Sequence, residues 1–205
     1  MKSNSVPWLL FGVLLLASNL RLPITSIGPV IQNIGADWQL GSSALGLLTT
    51  LPLLAFALIS PLTPPLAQRF GLNRTLAGCL VLIILGFTGR LLPSLPMLYI
   101  GTALIGAGIA IGNVLLPSLV KAHFPEKIAL ITSVYAFTMG LAAAAGSALV
   151  IPLMQVFAWT WAQALFAFVG LTIISLLVWL PQLKQQAVHT AVTNQAVKST
   201  EKAVW

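Results

Sequence analysis

Six long apolar runs dominate the sequence, at about 6–31, 44–66, 75–92, 98–120, 128–156 and 161–181. Each is close to or above the roughly 20 residues that an α-helix, rising about 1.5 Å per residue, needs to cross about 30 Å of hydrocarbon. Inside a bilayer every backbone N–H and C=O must find its partner within the protein, and a helix achieves this segment by segment. The runs therefore predict an all-α integral membrane protein with six transmembrane helices and the lipid bilayer as its first partner. Only 6% of the residues are charged, against about 25% in a soluble domain.

The net charge of +7 does not mark a nucleic-acid binder. The basic residues form no patch; they fall one or two at a time between the apolar runs, the pattern of membrane topology. Lys2, Arg69, Arg74, Lys121, Lys127, Lys184, Lys198 and Lys202 fall on one side, Arg90 alone falls on the other, and Arg21 lies within the membrane. The Lys/Arg bias places both termini in the cytoplasm, in a multi-pass protein of the cytoplasmic (inner) membrane. Lys2 ahead of an apolar stretch also suits a signal peptide, but the first run has no Ala-x-Ala site, continues past Arg21 and is followed by further spans. Trp8, Trp38, Trp159, Trp161 and Trp179 near run ends suit an interfacial aromatic belt.

The connections are short. Residues 32–43 carry Asp37 and no Lys or Arg, residues 68–74 form a basic loop, and Pro93 and Pro96 mark a tight turn. Pro52, Pro61, Pro64 and Pro65 predict that the second span is bent or broken in its second half. Residues 1–183 read as the membrane domain and 184–205 as a polar cytoplasmic tail.

Arg21 is the residue that stands out chemically, a permanent charge in the middle of the first run. Such a charge costs roughly 2.5–3.5 kcal/mol at the centre of a membrane helix on insertion scales, and it is by default a functional residue. Its planar fork of donors suits an oxyanion. Ser18, Arg21, Thr25 and Gly28 fall on one helical face. Pro23 cannot donate to the carbonyl of Asn19, which leaves a kink and a free carbonyl within one turn of Arg21. The fourth run repeats the spacing in Asn113-Val114-Leu115-Leu116-Pro117. That repeat would relate the first and fourth spans in a fold of two three-helix units. Arg21, Asn19, Asn113, Thr25 and Tyr135 are thus the candidate substrate-binding residues. The rival reading of Arg21 is structural, with free carbonyls or a neighbouring helix satisfying it.

Other features exclude other chemistry. Gly106-Ala107-Gly108 has the wrong spacing to Gly112 for a dinucleotide loop, and no strand precedes it. Gly108 and Gly112 form a Gly-x-x-x-Gly that lets helices pack closely. An intramembrane hydrolase would need a nucleophile or metal-ligand set with a base in reach. Both histidines, His123 and His189, and the acids Asp37, Glu126 and Glu201 lie outside the runs, and the single Cys79 lies within one. The sequence therefore points to no enzyme, metal site or cofactor.

The stretch Pro64-Pro65-Leu66-Ala67-Gln68-Arg69-Phe70-Gly71-Leu72-Asn73-Arg74 resembles the signature loop of the major facilitator superfamily, Gly-x-Leu-Ala-Asp-Arg-x-Gly-Arg-Arg. Leu66, Ala67, Arg69 and Gly71 match; Pro64 replaces the first Gly and Gln68 the Asp. The resemblance makes Gln68, Arg69, Gly71 and Arg74 a cytoplasmic gate loop, with its charge network altered by the loss of the Asp. Thr102 and Ile105 stand where the fourth-span motif of proton-coupled exporters has Arg and Gln. A more specific resemblance is to the cyanate-transporter-like branch. It rests on Asn19-Leu20-Arg21, Thr25-Ser26-Ile27-Gly28-Pro29, Arg69-Phe70-Gly71-Leu72, Gly112-Asn113-Val114-Leu115-Leu116-Pro117 and Trp179-Leu180-Pro181-Gln182-Leu183.

The resemblance implies the N-terminal half of a major facilitator fold, a three-plus-three inverted repeat, with 184–205 as the start of the central loop. Members of the branch carry cyanate, nitroimidazole-like or other small organic compounds. The expectation is transport of a small anionic or polar solute with Arg21 as charge anchor, in partnership with a second six-helix half or a second copy. The alternatives are an exporter of neutral or cationic drug-like compounds and a truncated, non-transporting remnant.

Overall fold

The computed structural model describes residues 5–183. The tail expected at 184–205, with Lys184, Lys198 and Lys202, lies outside the described residues, as does Lys2. Six helical segments are long and apolar enough to cross a membrane: Pro7–Trp38, Ser42–Phe70, Leu72–Leu91, Leu95–His123, Pro125–Phe157 and Trp161–Leu183. No strand occurs among the described residues.

The first span is broken where its sequence demands it. The helix Ser5–Asn19 ends, a single turn covers Leu22–Thr25, a 3-10 turn covers Gly28–Val30, and helix resumes over Ile31–Trp38. Ahead of Pro23 the backbone tightens, with Leu20 N–H donating to Ala17 O and Arg21 N–H to Ser18 O. Four residues around Arg21 are therefore not one regular helical face, which corrects the stripe expected of Ser18, Arg21, Thr25 and Gly28. The second span shows the expected proline breaks. Its helix Ser42–Ile59 passes through Pro52, a 3-10 turn takes Ser60–Leu62, and helix returns over Thr63–Phe70 with Pro64 and Pro65 in its first turn. Proline is tolerated there because its missing N–H would have no intrahelical partner. The fourth span, by contrast, runs without interruption through Pro117.

Helices outrun the apolar stretches. The first span reaches Trp38 rather than residue 31, so Asp37 is helical and the connection shrinks to residues 39–41. Gln39 closes that helix in the left-handed conformation at φ 50°, and Leu40 N–H reaches back to Gly35 O at 2.9 Å, an arrangement that satisfies last-turn carbonyls. Ile31–Trp38 buries Ile34 and exposes Gln32, Asn33 and Asp37. Hydropathy falls there because one face meets water, not because the helix stops. At the sixth span, Thr160 accepts from the Gln163 N–H and Gln163 Oε1 accepts from the Thr160 N–H. This is a capping box that the Thr-x-x-Gln spacing encodes.

Glycines set how the spans meet. The third and fourth spans pack most intimately: a Cβ on Gly86 would fall 2.6 Å from Gly101 O, and one on Gly108 would fall 2.7 Å from Cys79 O. Gly106 brings the fourth span against the second, where a Cβ would lie 2.6 Å from Pro52 Cα. Without a hydrophobic drive between helices in lipid, such close backbone approach is a main source of association.

Two buried apolar clusters result, and they part at Arg21. One takes Leu20 from the first span with Leu16, Leu80, Leu116, Tyr135 and Trp179. The other takes Leu22 with Ile34, Leu48, Phe87, Leu98 and Trp161. Burial is uneven among the spans: 61% of the most apolar window of the fourth span is buried, against 11% of the second and 17% of the fifth. Leu53, Leu54 and Leu58 on the second span, and Phe137, Leu141 and Val156 on the fifth, stand exposed.

Candidate solute site

Arg21 sits at the break, midway along the first span, at φ −121° between two helical pieces. It is exposed, and its guanidinium has no hydrogen-bond or ion-pair partner among the described residues. Its carbonyl accepts from the N–H groups of Ile24 and Thr25 and from Thr25 Oγ1, each at 3.2 Å. The backbone of Arg21 thus anchors the short turn Leu22–Thr25, while the charge is left free. Ser147 on the fifth span donates to Thr25 O at 3.1 Å, and a Cβ on Gly146 would sit 2.9 Å from Leu22 O. The small face of the fifth span is what fits against the broken segment.

Asn19 does not join Arg21. It is buried against the sixth span, with Nδ2 donating to Leu15 O at 2.8 Å and to Ser175 Oγ at 2.7 Å, and Oδ1 accepting from Thr172 Oγ1 at 2.6 Å. Both amide protons and the amide oxygen are used, so nothing remains to face a solute. This corrects its assignment as a cavity wall: Asn19 is a clamp between the first and sixth spans. Because the chain turns at the proline break, adjacent residues 19 and 21 face different neighbours.

The remaining candidates are scattered. Tyr135 packs in the apolar cluster with Leu20 and Leu116. Asn113 is half-buried, and its Nδ2 donates to Ile109 O of its own helix at 2.9 Å. Thr25 is half-buried with its hydroxyl turned to Arg21 O and Leu22 O. Gly108 and Gly112, on the same helix, serve different contacts: a Cβ on Gly108 would meet the third span, and one on Gly112 would meet the side chain of Leu20.

The loop expected at 68–74 is almost entirely helix, which is a further correction. Gln68 and Arg69 are in the last turn of the second span and Arg74 is in the first turn of the third, all exposed. Gly71 alone makes the connection, at φ 89° and ψ 149°, a region open essentially to glycine. Behind it, Trp179 Nε1 donates to Asn73 O and Asn73 Nδ2 donates to Gln182 O, both at 3.0 Å. The junction between the second and third spans is thereby tied to the end of the sixth.

Arg90 is the residue that sequence reasoning placed outside the membrane and missed. It is only 2% exposed. Its Nε donates to Thr102 Oγ1 at 3.1 Å, and Nη1 donates to Pro23 O at 3.3 Å. It reaches in because Gly101 lets the third span approach the fourth: a Cβ there would fall 3.0 Å from Arg90 N. The available signal was its place inside an apolar run, one helical turn past Gly86. The guanidinium arrives at Thr102, the position where the fourth-span exporter motif would have an arginine of its own.

Among the described residues, Arg90 borders two cavities. One, of about 200 Å³, lies between the first and second spans and is lined by Ile24, Thr25, Gly28, Leu48, Thr49 and Pro52 as well. The other, of about 270 Å³, lies at the end of the bundle opposite Arg69, with Asp37, Trp38, Pro93, Thr160 and Trp161 in its wall. The Asp37 carboxylate accepts from Trp161 Nε1. No group of three or more His, Cys, Asp or Glu able to hold a metal occurs among the described residues.

The sequence matches the profile of the Major Facilitator Superfamily over residues 9–204. It is 44% identical over 198 residues to an uncharacterised transporter, YycB, of Bacillus subtilis, covering 97% of this chain and 48% of that protein. It is 45% identical over 197 residues to the 2-nitroimidazole transporter of Escherichia coli, covering 96% of this chain and 49% of the relative. A more distant relative is the cyanate transport protein CynX of Escherichia coli, 27% identical over 172 residues. The chain spans about half the length of the curated relatives it matches.

Proposed function

The chain belongs to the major facilitator superfamily, and from that premise we propose that it is the N-terminal six-helix half of a transporter for a small anionic or polar solute, with Arg21 as the charge anchor. The observation that carries this reading is the unpaired guanidinium of Arg21 at the break of a membrane span. An intramembrane charge with no protein partner is costly unless a cavity, a second protein surface or a ligand meets it. The exposed apolar faces of the second and fifth spans supply the surface for a second six-helix half, or for a second copy. Solute would bind between the two halves, as in transporters built from repeats. The basic end, with Arg69, Arg74, Lys121 and Lys127, is assigned to the cytoplasmic side of the inner membrane.

The names of two relatives support a small solute. Cyanate and a nitroimidazole are both small, and both present electron-rich terminal atoms that accept hydrogen bonds from a guanidinium. A second reading has a specific observation behind it. The better-matching named relative is called a 2-nitroimidazole transporter, which favours a drug-like heterocycle as cargo and a structural role for Arg21. Competition separates the two, because only the anion reading expects cyanate to inhibit transport.

The experiment is uptake in a transport-competent form, full-length or co-expressed with a matching half. Arg21→Gln is expected to abolish uptake of radiolabelled cyanate while leaving membrane insertion intact. Unchanged uptake sinks the anchor role.

A further inference from the structure

Arg90 is a buried cation whose protein partners are neutral oxygens. A guanidinium has five N–H donors. Two are used, toward Thr102 Oγ1 and Pro23 O, and no carboxylate forms an ion pair with Arg90 among the described residues. Asp37 lines the larger cavity that Arg90 also borders, but its carboxylate is engaged by Trp161. The smaller cavity has no acidic residue in its wall. Taking a charge out of water without an opposite charge is expensive, and Arg90 borders both cavities.

We propose that Arg90 and the cavity lined by Thr25, Gly28, Leu48, Thr49 and Pro52 form a second anion-binding station, distinct from Arg21, that takes a small monovalent anion. The size follows from the cavity. At about 200 Å³ it is smaller than the roughly 300–1,000 Å³ of pockets that hold drug-sized ligands. The charge follows from the absence of any carboxylate in its wall. The donors follow from hydrogen-bond geometry. Thr49 Oγ1 donates to Gly46 O at 2.8 Å, and Thr25 Oγ1 donates to carbonyls of its own span. Neither hydroxyl proton is free, so the guanidinium is the anion's donor and the threonines form a polar wall. The larger cavity, which the same guanidinium also borders, is the approach from the end of the bundle that carries Asp37.

The station rests on the reading of this chain as a carrier of small anionic solutes, but it concerns binding rather than uptake and does not use Arg21. The two can therefore fail separately. The experiment is isothermal titration of sodium thiocyanate into the 205-residue chain purified in detergent, with circular dichroism as the check on folding. Saturable binding is expected in the unsubstituted chain. Arg90→Gln is expected to weaken it about tenfold or more, the scale of losing a charge-assisted hydrogen bond to an anion. Thr49→Phe, at an exposed position on the cavity wall, is expected to block the site while leaving the Arg90 bonds in place. Lys121→Gln, an exposed charge on the fourth span away from either site, is expected to bind as the unsubstituted chain does. If Arg90→Gln loses its helical signal, Thr49→Phe decides. Unchanged binding in Thr49→Phe, a loss of binding in Lys121→Gln equal to that in Arg90→Gln, or no saturable binding in the unsubstituted chain would each overturn the proposal.

Discussion

Arg90 donates to the carbonyl of Pro23 across sixty-seven residues of sequence, at 3.3 Å. That carbonyl is available because the break in the first span releases it. Its regular helical donor would be the N–H of Ile27, which instead reaches Ile24 O at 3.4 Å. Apart from Arg90, the Pro23 carbonyl has only a long contact from Ser26 Oγ at 3.4 Å. A cation from the third span thus completes a proline break in the first, and Thr102 on the fourth span holds it in place. One guanidinium ties three spans together.

Removing that tie should cost stability. Arg90→Met is expected to destabilise the helical bundle by about 1.5–3 kcal/mol, the range for hydrogen bonds to a charged group. The loss would be read as a lower unfolding midpoint in detergent. Thr102→Val should cost less, and the double substitution less than the sum, because the two residues share one interaction. Strict additivity would show that Arg90 and Thr102 act independently.

Asn19 should behave as a structural clamp. Asn19→Leu removes its bonds to Ser175 and Thr172, and polar contacts between membrane helices are worth about 0.6 kcal/mol on average and up to about 1.7. A fall of about 1–2 kcal/mol in stability is expected, with the KM for the transported solute unchanged. A raised KM at unchanged stability would return Asn19 to the solute site.

The glycine contacts give a matched pair. Gly106→Leu places a Cβ 2.6 Å from Pro52 Cα, where the backbone must move. A loss of about 1–3 kcal/mol is expected, as for other overpacked sites. Gly140→Leu meets open space on the same test and should leave the unfolding midpoint of the isolated chain where it is. Equal melting of the two variants would remove close packing as the reason for Gly106.

Gly71 offers a backbone test of the same kind. Gly71→Ala forces a side chain to φ 89° and ψ 149°, and residues held in such regions cost of order 1–3 kcal/mol. Gly41→Ala, at φ −71°, lies in ordinary extended backbone and should be close to neutral. The check is comparative thermal unfolding; a harmless Gly71→Ala would mean that the junction relaxes freely.

Much of the architecture was legible along the chain. Apolar length gave six spans, and the prolines of the second span gave its breaks, because both are local effects of backbone hydrogen bonding. Span ends were less legible. Ile31–Trp38 and Gln68–Phe70 stay helical after hydropathy falls, because a helix leaving the bilayer needs only one buried face. Of the candidate site, Arg21 was identifiable as a charge out of place, and its guanidinium is left without a partner among the described residues. Asn19 looked equivalent from its position two residues earlier. The turn ahead of Pro23 sends it instead to Ser175 and Thr172, and no local rule encodes partners 156 and 153 residues away.

What the sequence determined by itself was the number of spans, the break at Pro23 and the presence of two arginines within or at the ends of apolar runs. What only the tertiary structure decided was which arginine is buried. Arg21 lies nearer the middle of its run, yet it is exposed, while Arg90 at the end of the third span is enclosed. The reason lies between helices. Gly86 and Gly101 let the third and fourth spans close on each other, and the freed carbonyl of Pro23 and the hydroxyl of Thr102 give the guanidinium acceptors there. Depth along a run is written in one segment, but enclosure depends on the neighbours that folding supplies.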